Sequence, residues 1–201
     1  MKLIHESASC LLHLLLLAEV FVQSSCRPTS SFCLCGMFGS MIHHVDRLMN
    51  SKKLHELTDE ELKNFVGVEP KLENLPRLRH TASYFTSLKV NESLSQMYEY
   101  TQAFRVHVDW LKTAKDNVSL PVQSAEGAST HLLHLSNLIK SYLHQIHEEI
   151  PPATPATLPA VPTAFDALKF SVEIAEQLHV FCNWSKRVLR SFQRQCTCSR
   201  H

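Results

Sequence analysis

Glycine is scarce in this sequence, with only four among the 201 residues, at positions 36, 39, 67 and 127. Loops that wrap a phosphate group need clustered glycines, because the backbone must approach the ligand closely and adopt positive φ angles. Four scattered glycines cannot supply such a loop. The Walker and Rossmann classes of nucleotide-binding protein are therefore excluded.

An excess of charge of one sign is also missing. The chain has 20 Lys and Arg against 19 Asp and Glu, a net charge of +1. Nucleic-acid binding needs a basic surface that neutralises phosphates, so the sequence predicts no nucleic-acid partner. Its length and its 44% hydrophobic residues fit one globular domain.

Motifs of common enzyme classes are absent as well, including His-Glu-x-x-His and Gly-x-Ser-x-Gly. The 13 histidines include two i,i+3 pairs, at 131/134 and 144/147, but no carboxylate set of the kind that metal-binding bundles use. We interpret these histidines as solvated helix positions. The sequence predicts that the protein is not an enzyme and holds no metal or cofactor.

The longest apolar run lies near the N terminus, from Leu11 to Val22, interrupted by His13 and Glu19 and followed by small polar residues. It predicts a signal peptide over 1–24, a mature domain over 25–201 and a secreted, extracellular protein. The alternative, a membrane anchor, needs about 20 apolar residues, and this run is shorter.

Secretion changes the interpretation of cysteines and sequons. The mature chain keeps six cysteines, which an oxidising compartment favours as disulfides. Three Asn-X-Ser triplets begin at Asn91, Asn117 and Asn183. Asn91 and Asn117 are the candidate glycosylation sites.

Hydrophobic periodicity is helical throughout, and strand signals are scarce. It predicts helices over about 39–65, 92–113, 122–149 and 164–194. Thr58-x-x-Glu61 is a capping box inside the first of these and indicates a break near Leu57.

Connection lengths predict the topology. Residues 114–121 span at most about 29 Å, less than the helices they join, so those two helices are antiparallel neighbours. Residues 66–91 and the proline-rich 150–163 are long enough to cross the bundle. We therefore predict an all-α fold, a long-chain four-helix bundle in up-up-down-down order with two long crossover loops.

This topology brings the chain termini together. Cys33 and Cys35 then lie beside Cys196 and Cys198, which predicts disulfides between the two pairs. A four-thiolate zinc site is the alternative, but Cys-x-Cys is tighter than the usual zinc spacing. Cys182 is interpreted as a small buried hydrophobe, with pairing to Cys26 as the alternative.

Two stretches resemble the interleukin-11 family of helical cytokines. One comprises Leu72-Glu-Asn-Leu-Pro-Arg-Leu and His107-Val-Asp-Trp-Leu-Lys-Thr-Ala. The other comprises the proline-rich 151–162, Phe165, and the segment from Leu178 to Arg187. Phe165 stands where the family is expected to have tryptophan. That difference, the Cys-x-Cys pairs and the sequons predict a divergent, non-mammalian member.

The resemblance implies a secreted cytokine of the interleukin-6 class, monomeric until it binds receptors. It would join a specific α receptor to two copies of a gp130-type shared receptor. The implied α-receptor face comprises His179, Asn183 and Arg187, which share one helical row. The second face comprises His131, His134 and Leu138, and the third face comprises Phe165.

Each implied role has a structural alternative. Arg187 could be an ordinary solvated arginine, and Phe165 could fold under the proline-rich loop as a hydrophobic staple. A glycan on Asn183 would cover the α-receptor row, so we expect that sequon to be unused.

Two other functions fit the same pattern less well. The protein could be a different cytokine of the interleukin-6 class, or a secreted helical carrier of an apolar ligand. A carrier needs an internal cavity and no apolar groups on the outer face of the fourth helix. The outward phase of Phe165, Val180 and Trp184 argues against a carrier.

Overall fold

The computed structural model describes residues 30–50, 54–65, 72–78, 84–85, 87–152 and 155–198. Regular structure in this part of the chain is helical, with a 3₁₀ turn at Lys63–Phe65. The predicted signal peptide and Cys26 lie outside the described residues. Five helices lie in the described ranges: α1 (Ser30–Asn50), α2 (Asp59–Leu62), α3 (Val90–Asn117), α4 (Gln123–Gln145) and α5 (Ala164–Cys198).

The chain divides into two compact units, residues 1–34 and 35–201. Of the first unit, the structure describes residues 30–34 as helix. Every packing contact given below lies within the second unit.

The first predicted helix, over 39–65 with a break near Leu57, corresponds to two helices, α1 and α2. Helix α1 begins earlier than predicted, at Ser30, and ends at Asn50. Glu56 adopts a positive φ of 54°, a left-handed backbone conformation that a continuing helix does not allow. The capping box that begins α2 is confirmed, because Thr58 and Glu61 each bond the backbone N–H of the other. The capping box had predicted this break near Leu57, which the apolar spacing alone does not reveal.

The helix predicted over about 92–113 is α3, which begins two residues earlier, at Val90. Its N-cap is Lys89, and no side chain caps it. Ser93 lies inside the helix and is buried.

Helices α1 and α5 are antiparallel. The Phe38 ring lies 5.8 Å from the Phe192 ring, and further along α1 the Asp46 carboxylate accepts a hydrogen bond from the Lys186 ammonium. Residue numbers thus rise along α1 as they fall along α5.

Helix α3 is antiparallel to α4. Near its middle, Gln102 donates to the Ser136 hydroxyl over 2.9 Å, and nearer its end Lys112 pairs with Glu126 at 3.2 Å. The short connection between these helices had predicted this arrangement.

Helix α3 is also antiparallel to α5. The Tyr100 and Trp184 rings lie 5.7 Å apart, and the Trp110 and Phe170 rings 5.3 Å apart. Because α1 and α3 both oppose α5, they run in the same direction. The up-up-down-down four-helix bundle is therefore confirmed.

The predicted apolar faces form the core. Among the seam positions buried as predicted are Leu94, Met97, Phe104, Val108, Leu132, Leu135, Ile139, Leu178, Phe181 and Leu189. The sequence predicted that Trp184 faces outward, but it is only 3% exposed and packs beside Phe181. It therefore belongs to the core and not to the outer face.

The first crossover is anchored to α5 through Glu173. This buried carboxylate accepts a hydrogen bond from the Leu72 backbone N–H and another from the Arg77 guanidinium, each over 3.3 Å. Buried carboxylates are costly unless their oxygens find donors, so these bonds fix the path of the loop.

Lys115 anchors the segment after α1. Its ammonium is buried and donates to the Leu54 backbone carbonyl over 3.0 Å, while the Glu56 carboxylate lies 3.9 Å away. Burial lowers the pKa of Lys115, and the charge of Glu56 partly opposes that shift.

The aromatic centre of the core gives a direct test of the packing. Phe181 is fully buried, and its ring lies 5.1 Å from that of Phe104. We expect Phe181→Ala to lower the free energy of unfolding by about 3–5 kcal/mol, because the deletion leaves a cavity.

The matched control is the neighbouring Val180→Ala, since Val180 is 41% exposed. We expect this change to cost about 0.5 kcal/mol or less. Urea unfolding followed by circular dichroism measures both variants. Equal losses in the two variants would contradict the packing described here.

Candidate functional site

The outer row of α5 contains the three residues expected on the α-receptor face. Asn183 and Arg187 are exposed, and His179 is half-buried. The amide of Asn183 lies 3.0 Å from Nε2 of His179, so these two side chains hold each other. The structure therefore brings the three residues together on one surface.

Arg187 is held by an aromatic ring from the first crossover. Its guanidinium lies 4.0 Å from the centre of the Phe85 ring, within the range of a cation–π interaction. Sequence reasoning missed Phe85, because no local pattern connects it to a residue about a hundred positions later. The contact limits the rotamers available to Arg187, which an unsupported solvated arginine would sample freely.

A surface groove lies beside this row. One wall is formed by α2 and the segment that precedes it, and the other wall is formed by α5. Its volume is about 440 Å³. Residues that line it include His55, Leu57, Asp59, Leu62, Val172 and His179. His179 thus belongs to both the groove and the outer row of α5.

The residues expected on the second face lie on α4 next to α1. His134 is exposed, while His131 and Leu138 are half-buried. Nδ1 of His131 lies 3.3 Å from Nδ1 of His44, and the His134 ring stacks on His44 with centroids 5.1 Å apart. The interpretation of His131 as a solvated position is therefore wrong.

The electrostatic surroundings of His44 and His131 favour the neutral imidazole. Burial lowers the pKa of His44, and the positive charges of His134 and His131 lower it further. Burial also lowers the pKa of His131, followed by the charge of Arg47. Sequence spacing could not find His44, because it belongs to a different helix.

Phe165 lies in the first turn of α5 and is 55% exposed. Thr163 fixes this turn, since its hydroxyl accepts a hydrogen bond from the Asp166 backbone N–H over 3.1 Å. The Phe165 ring stacks on Phe65, with centroids 5.2 Å apart. Phe65, on the 3₁₀ turn, was another residue that the sequence did not connect to this position.

Two of the four cysteines expected in disulfides meet at one end of the bundle. Cys35 and Cys196 are free thiols in this structure, and their side chains interact through a hydrogen bond. Burial raises the pKa of Cys196 to about 11, and the Cys35 thiol contributes. The side chains of Cys33 and Cys198 lie outside the described residues. Cys182 is fully buried, as expected, and burial raises its pKa.

The two candidate glycosylation sites differ in their surroundings. The Asn91 amide is half-buried and donates to the Glu148 carboxylate over 2.8 Å. Asn117 is exposed at the last position of α3. A glycan on Asn91 would have to displace that hydrogen bond, whereas Asn117 has room for one.

The described part of the chain contains no group of three or more His, Cys, Asp or Glu side chains arranged to hold a metal ion. Its helices also include none with the length and apolar character needed to cross a bilayer. The features to explain are therefore the separate surfaces on the bundle.

Comparison with known families identifies the chain. A family model described as interleukin 11 matches residues 27–196. The chain belongs to the interleukin 11 family. It is a cytokine of the interleukin-6 class and not an enzyme, and receptors are its partners. The searches of curated proteins and of solved structures each found no significant match.

This family assignment confirms the resemblance carried by the crossover and α5 motifs, which both lie inside the matched range. It also favours an interleukin 11 assignment over another cytokine of the class. Residue roles on the three faces stay predictions.

The cysteine pair generates a prediction. We propose that Cys35 and Cys196 form a disulfide in the oxidised protein, with Cys33 and Cys198 as the second pair. Closing a loop of this length stabilises a protein by about 4–5 kcal/mol in the chain-entropy model. Non-reducing peptide mapping of protein from an oxidising host should recover these linked peptides. Recovery of four alkylated, unlinked cysteines would refute the pairing.

Proposed function

We propose that the chain is secreted after removal of residues 1–24 and that the mature cytokine, over 25–201, signals by assembling receptors. As a monomer it binds a specific α receptor through one face of α5. It then recruits two copies of a gp130-type shared receptor through two further faces. Receptor assembly is the whole mechanism, since the receptors' associated kinases perform the chemistry.

The observation that carries this proposal is the exposure of Phe165. It is 55% exposed, against 41% for Leu133 and Val180, the other large hydrophobic residues described as exposed. A large aromatic ring on a capped helix start offers a partner apolar area at little entropic cost. Its stacking on Phe65 makes a two-ring patch, which we assign to the third face. The staple alternative would have buried this ring.

The α-receptor face is assigned to His179, Asn183 and Arg187. Arginine is frequent among interface hot spots because its planar guanidinium makes several directed hydrogen bonds. The Phe85 ring orders that guanidinium before binding, which reduces the entropy lost on association. We expect no glycan on Asn183, because its amide faces the same row.

The second face is assigned to His131, His134 and Leu138, where α4 packs against α1. This surface lies on different helices from the other two faces. A shared receptor bound there would contact elements separate from those that bind the α receptor. Among the sequons, Asn117 is the favoured glycosylation site, since its side chain is exposed.

Charge reversal tests the α-receptor face. We expect Arg187→Glu to weaken α-receptor binding by about thirtyfold or more, as expected for a hot spot worth about 2 kcal/mol. Surface plasmon resonance with the immobilised α-receptor ectodomain measures the effect.

Lys140→Glu is the matched control, because it makes the same change of charge at an exposed position on α4. We expect it to bind the α receptor with the wild-type affinity. Wild-type binding by a correctly folded Arg187→Glu protein would remove this residue from the face.

Truncation tests the third face. We expect Phe165→Ala to bind the α receptor normally and to lose signalling in a cell-based reporter assay. The free energy of unfolding should fall by about 1 kcal/mol or less, since the ring is largely exposed.

The conservative variant Phe165→Trp keeps a large aromatic ring at this position and should retain signalling. A large loss of stability in Phe165→Ala, with signalling preserved in the folded fraction, would instead make Phe165 a packing residue.

A further inference from the structure

Four histidines and one arginine lie close together where α1 packs against α4. His44 of α1 is the centre of this cluster, because it contacts rings from both helices. Its ring lies 5.6 Å from that of His43, 5.5 Å from that of His131 and 5.1 Å from that of His134. We call these residues the histidine cluster; they are His43, His44, His131 and His134, with Arg47 beside them.

The contact between His44 and His131 depends on protonation. Their Nδ1 atoms lie 3.3 Å apart, so one nitrogen must carry the proton and the other must accept it. If both rings become imidazolium, both nitrogens carry protons and the hydrogen bond is lost. This link between α1 and α4 therefore exists only while at least one of the rings is neutral.

The charged neighbours add to this effect. The groups acting on His44 are His134, His131 and His43, and those acting on His131 include Arg47. Arg47 is a cation, the other groups are imidazoles, and none of them is an anion. Asp46, a carboxylate nearby on α1, is already bonded to Lys186 from α5. Acidification thus gathers like charges at one helix–helix contact.

The direction of the pH effect follows from the lowered pKa values of His44 and His131. Between their folded values and the ordinary 6.5, the unfolded chain binds more protons than the folded chain. The stabilisation is complete above about pH 6.5 and is lost as the pH falls through the folded pKa values.

We propose that the histidine cluster is an acid-sensitive lock between α1 and α4, closed at neutral pH and released in mildly acidic compartments. Where our proposed function holds, the lock includes two residues of the second face, His131 and His134. Its release would then weaken binding of the shared receptor. The residues assigned to the α-receptor face, His179, Asn183 and Arg187, lie on α5, outside the histidine cluster.

His44→Gln is the variant that tests the lock. The glutamine amide offers both a donor and an acceptor to His131, so it can bond either protonation state without becoming charged. His44 is not one of the residues assigned to a receptor face. The matched control is His144→Gln, which removes a histidine from an exposed position on α4, the helix that carries His131.

Thermal unfolding tests the lock without any receptor. The melting temperatures of the wild type and both variants are compared at about pH 7.4 and pH 5.5, with EDTA present to exclude metal binding. We expect the wild type and His144→Gln to lose several degrees more than His44→Gln on acidification. Equal losses in all three proteins would overturn the lock.

A second arm tests the receptor consequence. Binding of the soluble gp130-type ectodomain to the cytokine already bound to its α receptor is measured at both pH values. We expect wild-type affinity to fall by about tenfold more than the affinity of His44→Gln, because the variant lacks the titrating centre. Dividing the affinity change of the wild type by that of His44→Gln removes any pH dependence of the receptor itself.

The two measurements distinguish a failure of the proposed function from a failure of the lock. If the wild type does not bind the ectodomain at neutral pH, the proposed function is wrong, while the melting temperatures still decide the lock. If it binds and the pH dependence is the same in His44→Gln, the lock does not control the second face. If His44→Gln does not fold, His44→Asn provides the same uncharged amide for both measurements.

Discussion

Burial of the apolar face of α5 against both α1 and α3 is the constraint from which the rest of the bundle follows. Phe181 and Trp184 pack toward α3, while Phe192 packs toward α1. Because α5 is antiparallel to both partners, α1 and α3 must run the same way. The chain can then connect them only by a long crossover, and Glu173 of α5 anchors that crossover.

The same helix supplies two of the three proposed receptor faces. Its buried side fixes its rotation, so its outer row and its first turn are presented at set positions. The crossover that Glu173 anchors includes Arg77, and further along it places Phe85 under Arg187. A packing requirement of the core therefore also supports side chains of the proposed receptor faces. Such rigidity favours the proposed receptor assembly, since flexible faces would lose entropy on binding.

Much of the fold could be predicted from the sequence because helices leave a periodic signal. The seams of α3 and α4 and the inner face of α5 were visible as three- and four-residue steps. The break near Leu57 was visible only through the capping box of Thr58 and Glu61, because Glu56 changes the backbone direction without interrupting the apolar spacing. Trp184 was assigned to the wrong side, since its ring packs against Tyr100 of α3 and Tyr84 of the first crossover.

The candidate faces show what sequence periodicity cannot predict, namely contacts between residues of different elements. A helical row such as His179 to Arg187 follows from spacing alone, but its supporting residue, Phe85, lies on a loop without periodicity. Likewise, the i,i+3 pair on α4 was visible, whereas its partner His44 becomes a neighbour only through the fold. Surface histidines that meet across two helices acquire properties that neither helix has alone, because burial and mutual charge lower their pKa values. Chemistry that arises between elements is therefore accessible only once their packing is known.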